Sequence, residues 1–465
     1  MYSESSTIAA ISTSMSEAGI GIVRMSGEES FEIADRIYRG KRNKKLSEQK
    51  SHTIHYGYIE EDGETIDEVL VMLMRGPHTF TGEDTVEINC HGGVYVLRRV
   101  LEACLRGGAR PAQPGEFTKR AFLNGKLDLS QAEAVIDVIQ SRNDYALKSS
   151  VSQLKGSVKR KVEEIRSKIL YHTAFIESAL DDPEHISIDG YGPTLERDVE
   201  ELLDEIQRLL DSADDGRIMK EGVQTVIVGK PNAGKSSVLN MLLGEERAIV
   251  TDIAGTTRDI LQEHMNLHGI SLNIVDTAGI RKTDDKVEKI GVDRALSQAR
   301  EADLIIYVVD SSLPLDENDR KIFRFIAGKK SIILLNKSDL ARRTGDEEIR
   351  QMCREQGMEE PPVLSVSAKE EEGIEELEQA VKEMFYHGDI SFNSEVYITN
   401  ARQKHALESA RQSLEKVLES IHMDMPEDFY SIDLMDAYES LGTITGETVG
   451  EDLVNEIFSK FCMGK

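Results

Sequence analysis

Eight consecutive residues, Gly229-Lys230-Pro231-Asn232-Ala233-Gly234-Lys235-Ser236, have the spacing G-x-x-x-x-G-K-S. A loop of this composition can aim successive backbone N–H groups at phosphate oxygens, with a helix N-terminus behind them. Lys235 then reaches the β- and γ-phosphates, and Ser236, followed by Ser237, can place a hydroxyl on Mg²⁺. Such chemistry needs a strand feeding the loop and a helix leaving it. Val223 to Val228 reads as that strand, and Val238, Leu239, Leu242 and Leu243 recur at helical spacing. A glycine-rich turn without a ligand would explain the glycines but not this placement.

Three further segments select the nucleotide. Asp276-Thr277-Ala278-Gly279 follows the strand-like run Leu272 to Val275. Its carboxylate can hold Mg²⁺ through water, and its glycine N–H can meet the γ-phosphate. Asn336-Lys337-Ser338-Asp339 follows Ile332 to Leu335. One carboxylate at Asp339 can accept both N1–H and the 2-amino group of guanine, a pairing adenine does not offer. Ser367-Ala368-Lys369 follows Val363 to Val366 and would back the base. Four motifs in this order, each at a strand end, resemble the Ras-like GTPases.

Two departures from the Ras-like pattern bear on hydrolysis. The residue after Asp276-Thr277-Ala278-Gly279 is Ile280, which cannot orient water as a glutamine does. Another group must do so, from this chain or from a partner. In the polar stretch Arg281 to Glu288, Glu288 is the best carboxylate, ahead of Asp284 and Asp285; a solvated charge run is the competing reading. The second departure is Asn232, with the loop Thr251-Asp252-Ile253-Ala254-Gly255-Thr256-Thr257-Arg258-Asp259. An amide oxygen from Asn232 and carbonyls from that loop could surround a monovalent cation where other GTPases place an arginine finger. Thr257 could join Ser236 on Mg²⁺. A loop-stabilising hydrogen bond is the plainer role for Asn232.

The elements that position these groups fall into several domains, as 465 residues allow. Residues 1–118 alternate strands (Thr7 to Ile11, Gly21 to Met25, Glu68 to Met74, Thr85 to Asn89) with helices (Ser30 to Tyr38, Val94 to Arg106). Residues 119–216 are helical, with one long run from Asp144 to Leu180 ended by Asp181-Asp182-Pro183. Residues 217–384 hold the four nucleotide motifs. Residues 385–465 are helical again, at Arg402 to Ile421, Ser431 to Leu441 and Gly450 to Phe461. The fold expected is a multidomain α/β plus all-α protein, with the GTPase inserted into one helical domain whose halves pair in space. Each half alone would have little core, and insertion asks only that the insert's ends lie close together.

Composition narrows the partners. The formal charge of −28 would repel RNA or an anionic membrane at long range, and the densest basic run is only Arg39, Lys41, Arg42, Lys44 and Lys45. Four scattered cysteines (Cys90, Cys104, Cys353, Cys462) form no C-x-x-C pair, so zinc and a disulfide framework are not indicated. With no signal peptide and no long apolar stretch, a cytoplasmic protein off the membrane is expected.

Taken together, nearly the whole chain is similar to the bacterial and organellar tRNA-modification GTPases called MnmE or TrmE. The likeness rests on Thr7 to Thr13, Phe80-Thr81-Gly82-Glu83-Asp84, His91-Gly92-Gly93, Pro114 to Leu129, the phosphate loop, Gly255 to Asp259 and the terminal Phe461-Cys462-Met463-Gly464-Lys465. Met463 stands where the family more often has another apolar residue. The resemblance implies GTP hydrolysis activated by K⁺ and by dimerisation of the GTPase domains, with a constitutive homodimer through the N-terminal domain. That domain would hold a tetrahydrofolate one-carbon derivative, 5-formyl- or methylene-tetrahydrofolate. With an FAD-dependent partner, MnmG (GidA), the family installs a carboxymethylaminomethyl group at carbon 5 of the tRNA wobble uridine. Matching positions here are Glu288 for hydrolysis, Asn232, Thr251, Ile253 and Thr256 for K⁺, and Ser236 and Thr257 for Mg²⁺. GTP and GDP would contact Asn232 to Ser237, Thr251 to Thr257 (including Asp252, Ala254 and Gly255), Asp276, Thr277, Ala278, Gly279, Asn336, Lys337, Asp339, Ser367 and Ala368. Folate contacts fall to Arg24, Glu87, Lys126 and Lys465. A carboxylate suits the pterin amino edge, and cations suit a formyl oxygen or glutamate tail.

Cys462 sits at a helix end with Phe458 and Phe461, so a small buried cysteine is expected ahead of a thiol handling one-carbon units. A different class of function, a GTP switch for ribosome assembly, would account for the missing glutamine. It would not account for the folate-like N-terminal unit, and it would more naturally carry a basic RNA-binding module. A stand-alone folate-dependent methyltransferase names no substrate. tRNA contact is expected mainly through the partner.

Overall fold

The computed structural model describes residues 6–40, 44–244, 263–267, 270–274, 302–385 and 396–464. The chain forms two compact units: Met1–Ile139, Val151–Leu203 and Ala406–Lys465 in one, Gln140–Ser150 and Asp204–His405 in the other.

The first unit contains a seven-stranded sheet of β1 (Ile8–Ile11), β2 (Ala18–Ser26), β3 (Tyr38–Gly40), β4 (Thr53–Glu61), β5 (Glu64–Met74), β6 (Thr85–Gly92) and β7 (Arg110–Pro111). Their order is β3-β4-β5-β6-β2-β1-β7, antiparallel except for the β1–β7 pair. Alternate residues point to opposite faces, so Val23, Met25, Val69, Val71, Leu73, Val86, Ile88 and Cys90 turn to one side and are buried. Helices Ser30–Ile37 and Val94–Arg106 cover that side with Phe31, Ile33, Ala34, Ile37, Leu97, Val100, Ala103 and Cys104. The other face carries Arg24 and Glu87, and exposes Ile54, Tyr56 and Leu70.

Helices complete this unit. Asp428–Thr445 packs along Ser157–Asp181, so segments from either side of the nucleotide motifs meet in space. Arg166 fixes the pair, with its guanidinium 4.0 Å from the Tyr438 ring and 2.7 Å from Glu447. His422 Nε2 lies 2.7 Å from Glu196 Oε1, a second tie between the two segments. Glu116–Leu123, Leu129–Gln140 and Glu451–Ser459 enclose a small apolar cluster of Leu129, Ala132, Val454, Phe458 and Phe461. The helical run expected from Asp144 to Leu180 is two helices, Asp144–Leu154 and Ser157–Asp181. The break falls at Gly156, whose φ of +82° is left-handed and ends a right-handed helix.

The second unit holds a six-stranded sheet in the order β13-β12-β11-β8-β10-β9. These are β8 (Val223–Gly229), β9 (Glu263–Leu267), β10 (Ile270–Ile274), β11 (Leu304–Asp310), β12 (Ser331–Asn336) and β13 (Val363–Ser365). All neighbours are parallel except β9 with β10. The central strands are buried on both faces, which is why they read as unbroken apolar runs. Parallel strands all end at one edge of the sheet, and ligands bind α/β sheets outside that edge. Here that edge carries the phosphate loop after β8, Asp310 at the end of β11, Asn336 and Lys337 at the end of β12, and Ser367 just past β13.

Candidate functional site

The loop leaving β8 passes directly into helix Lys235–Leu242, whose buried face is Val238, Leu239, Met241 and Leu242. Four of its backbone carbonyls are taken up by side chains. Lys235 Nζ donates to Gly229 O at 2.9 Å and to Lys230 O at 2.8 Å. Lys337 Nζ donates to Asn232 O at 3.0 Å, and Asn336 Nδ2 to Ala233 O at 2.9 Å. With its acceptors held this way, the loop presents donors, the arrangement an anion requires. Gly234 has φ +96°, and a Cβ there would lie 2.1 Å from Asn336 Nδ2, so only glycine fits. Asn232, also left-handed at φ +60°, is exposed.

A second group of contacts is built at the ends of β12 and β13. Ser367 Oγ donates to Asp339 Oδ1 at 2.9 Å, and Glu370 N donates to Ser367 Oγ at 3.3 Å. That fixes one carboxylate oxygen of Asp339 in place. Ala368 N donates to Asn336 Oδ1 at 3.2 Å, tying the Ser367-Ala368 turn to the strand before it. Lys337 also pairs with Asp310 Oδ2 at 2.6 Å. Burial alone would raise the Asp310 carboxyl, but hydrogen bonds from Lys337 and Ser312 outweigh it and hold the group below its usual range.

A second cluster lies in the other unit. Arg24 and Glu87 are directly opposed on β2 and β6, with Arg24 Nε 2.7 Å from Glu87 Oε1. Gly464 reaches the same place: Ser12 Oγ donates to Gly464 O at 3.1 Å, and Arg24 Nη1 lies 3.5 Å from that oxygen. Lys126 is exposed and donates to Pro77 O at 3.0 Å. Of the residues singled out in the sequence, Thr251, Asp252, Ile253, Ala254, Gly255, Thr256, Thr257, Asp276, Thr277, Ala278, Gly279, Asp284, Asp285, Glu288 and Lys465 lie outside the described residues.

The expectation for Cys462 is corrected. Phe458 and Phe461 are buried with ring centroids 5.1 Å apart, but Cys462 is exposed. The chain turns after helix Glu451–Ser459, and Phe461 takes the inward position there. The Cys462 carbonyl accepts from Gly115 N at 3.3 Å. Among the described residues no disulfide forms, no group of three or more His, Cys, Asp or Glu gathers to hold a metal, and no helix is long and apolar enough to cross a membrane.

Residues 7–126 match the family model described as the GTP-binding protein TrmE N-terminus. Residues 129–462 match the model of the MnmE helical domain, a span that runs across the phosphate loop and Asn336-Lys337-Ser338-Asp339. A protein of Lachnoclostridium phytofermentans named tRNA modification GTPase MnmE is 56% identical over 460 residues, 99% of each chain. The chain belongs to the MnmE family. Proteins of the same name from Acetivibrio thermocellus and Geobacillus kaustophilus are 50% and 46% identical, covering 100% and 99% of this chain and 100% of each relative. Of solved structures, the G domain of the T. maritima FeoB iron transporter is 27% identical, covering 35% of this chain and 97% of that one, at a TM-score of 0.25.

As an MnmE-family member the chain is a GTP-binding hydrolase with a TrmE-type N-terminal domain and a helical domain interrupted by a Ras-like P-loop domain. Sequence reasoning did not find Asp310, although it ends an apolar strand, Leu304 to Asp310, that could have flagged it. Nor did it find the partners of Lys230, which occupies a variable position of the loop motif. Lys230 Nζ lies 2.7 Å from Asp319 Oδ2 and 3.0 Å from Asp316 Oδ2.

Proposed function

We propose that this chain is the GTP-hydrolysing subunit of a tRNA wobble-uridine modification complex. A tetrahydrofolate one-carbon unit and an FAD-dependent partner, MnmG, would together yield 5-carboxymethylaminomethyluridine. The observation that carries this reading is the meeting of Arg24, Glu87 and Gly464 on the face of the N-terminal sheet opposite helices Ser30–Ile37 and Val94–Arg106. A GTP switch for ribosome assembly has no use for such a cluster.

The donor set there fits a reduced folate. Glu87 spends Oε1 on Arg24 and keeps acceptor capacity for a pterin's amino and N–H edge. Cations for a formyl oxygen or a glutamate tail would come from Arg24, Lys126 and Lys465. The bound folate would supply the one-carbon unit; the chain's own residues would hold and orient it.

At the nucleotide, Lys235 would exchange the carbonyls of Gly229 and Lys230 for phosphate oxygens. Asp339, oriented by Ser367, would read guanine. Ser236 and Thr257 offer hydroxyl oxygens suited to Mg²⁺, a hard cation. The amide oxygen of Asn232, with Thr251, Ile253 and Thr256, would hold K⁺ beside the phosphates, and Glu288 would orient the attacking water. Working boundaries are 1–118 for the folate and dimerisation domain, 119–216 and 385–465 for the helical domain, and 217–384 for the GTPase.

Ile54, Tyr56 and Leu70 are 60%, 41% and 47% exposed on the outer sheet face, which suits a homodimer through this domain. With a net charge of −28, most of the phosphate-neutralising surface for tRNA would come from the partner. A cytoplasmic location follows from that substrate.

Binding of 5-formyl-tetrahydrofolate by calorimetry tests the folate reading. Wild type should bind, and Glu87→Ala should weaken binding at least tenfold, about 1.4 kcal/mol for a lost charged hydrogen bond. Equal affinity in both proteins would remove Glu87 from the site.

A further inference from the structure

Lys230 lies inside the phosphate loop, yet its ammonium turns away into an acidic pocket at the start of helix Glu317–Ile326. Asp319, fully buried, is the centre of that pocket. Its Oδ2 accepts from Lys230 Nζ at 2.7 Å and from Asp316 N at 2.8 Å, and its Oδ1 accepts from Tyr307 Oη at 2.6 Å. Asp316 caps the same helix, accepting from Asn318 N at 2.8 Å and Asp319 N at 3.3 Å, and also receives Lys230 at 3.0 Å. Tyr307 is itself buried in β11, with its ring packed edge-on to Phe323 at 5.4 Å. The carboxylate of Asp319 is therefore saturated by donors from three separate elements: the loop, the strand and the helix start.

Two consequences follow. First, the Lys230 charge is offset by two carboxylates, so it is poorly placed to attract phosphate directly. Second, the main-chain oxygen of the same residue is a seat of Lys235 Nζ, at 2.8 Å. Whatever fixes the Lys230 side chain also fixes the peptide on which the phosphate-binding lysine rests.

We propose that Lys230 is a positioning residue of the GTPase site, and that its ion pair with Asp319 couples nucleotide occupancy of the loop to the first turn of helix Glu317–Ile326. This rests on residues 229–236 being the phosphate seat. Because coupling is reciprocal, a nucleotide that orders the loop must tighten the helix start, and loosening the helix start must weaken the nucleotide.

The test uses the full-length chain, a fluorescent GDP analogue and amide hydrogen exchange. Lys230→Gln and Asp319→Asn should each speed release of the analogue by about tenfold, with the double variant no faster than either, since residues sharing one bond are not additive. Lys230→Arg should restore most of the slow release, because a guanidinium can still pair with Asp319. In wild type, GDP should slow exchange of the capped Asn318 and Asp319 amides, and Lys230→Gln should abolish that response. Should Asp319→Asn fail to fold, Asp316→Asn replaces it in the cycle, Asp316 being half exposed. Faster release in Lys230→Gln but slower release in the aspartate variant would mean that the lysine attracts phosphate directly, overturning the proposal. Additive effects, unchanged release, or a GDP response that survives in Lys230→Gln would also overturn it. Failure of wild type to bind the analogue would instead overturn the assignment of the loop.

Discussion

Asn336 Nδ2 donates to the carbonyl of Ala233 at 2.9 Å, so the strand that leads to Asp339 is pinned to the phosphate loop. The same side chain is held on its other side by Ala368 N at 3.2 Å from Asn336 Oδ1, so the phosphate loop and the Ser367-Ala368 turn are tied through one residue. Removing the amide in Asn336→Ala leaves the buried Ala233 carbonyl and the half-buried Ala368 N–H without this partner, a loss of about 1–3 kcal/mol of folded-state stability. By that figure the nucleotide-free protein should melt a few degrees lower, and GDP affinity should fall as well, because the loop is no longer held to the strand. Gly234→Ala should be worse, since its Cβ would lie 2.1 Å from the same nitrogen. Calorimetric titration with GDP checks both.

Hydrolysis should depend on K⁺. Ile280 cannot orient water, and Asn232 is an exposed residue with an amide side chain within the loop. Replacing K⁺ by Na⁺ should lower kcat at least tenfold, about 1.4 kcal/mol of barrier, with nucleotide affinity unchanged. Asn232→Ala should remove the response. Equal turnover in the two salts would end the idea.

Glu288→Ala should reduce kcat and kcat/KM together while leaving GTP affinity near wild type, the signature of a group that acts only in the transition state. Asp284→Ala and Asp285→Ala should be milder. A larger loss in Asp285→Ala than in Glu288→Ala would assign the role to the wrong carboxylate.

Asp339→Asn should turn preference from guanine toward xanthine, whose 2-oxo group accepts what the new amide donates. Loss of a charge-assisted pair should weaken GDP by about 2–4 kcal/mol. Competition between GDP and XDP reads the switch directly, and unchanged GDP affinity would locate base recognition elsewhere.

The nucleotide domain was legible because its motifs follow strands, three of which (β8, β10 and β12) are buried almost throughout and read as apolar runs. β11 has the same signature but no motif behind it, so Asp310 and Tyr307 passed unnoticed. β4 was hidden for a different reason. Its inward positions include Gly57 while Ile54 and Tyr56 face outward, inverting the usual pattern. The pairing of Arg24 with Glu87 depends on the register of β2 against β6, and the contact of Gly464 with Ser12 spans almost the whole chain. Neither is written in local spacing. Cys462 was misjudged because its neighbours Phe458 and Phe461 mark a buried helix end, whereas the turn beyond that end sends the thiol outward.

The central claim is that one chain joins a GTPase to wobble-uridine modification through the Arg24–Glu87 site. Mass spectrometry of tRNA nucleosides from a deletion strain, complemented with wild type or with Glu87→Ala, addresses it most directly. The deletion should lack the carbon-5 modification of wobble uridine, and wild type should restore it. Glu87→Ala should not, although the purified variant hydrolyses GTP at the wild-type rate. Normal wobble uridine in the deletion strain, or full restoration by Glu87→Ala, would contradict the account.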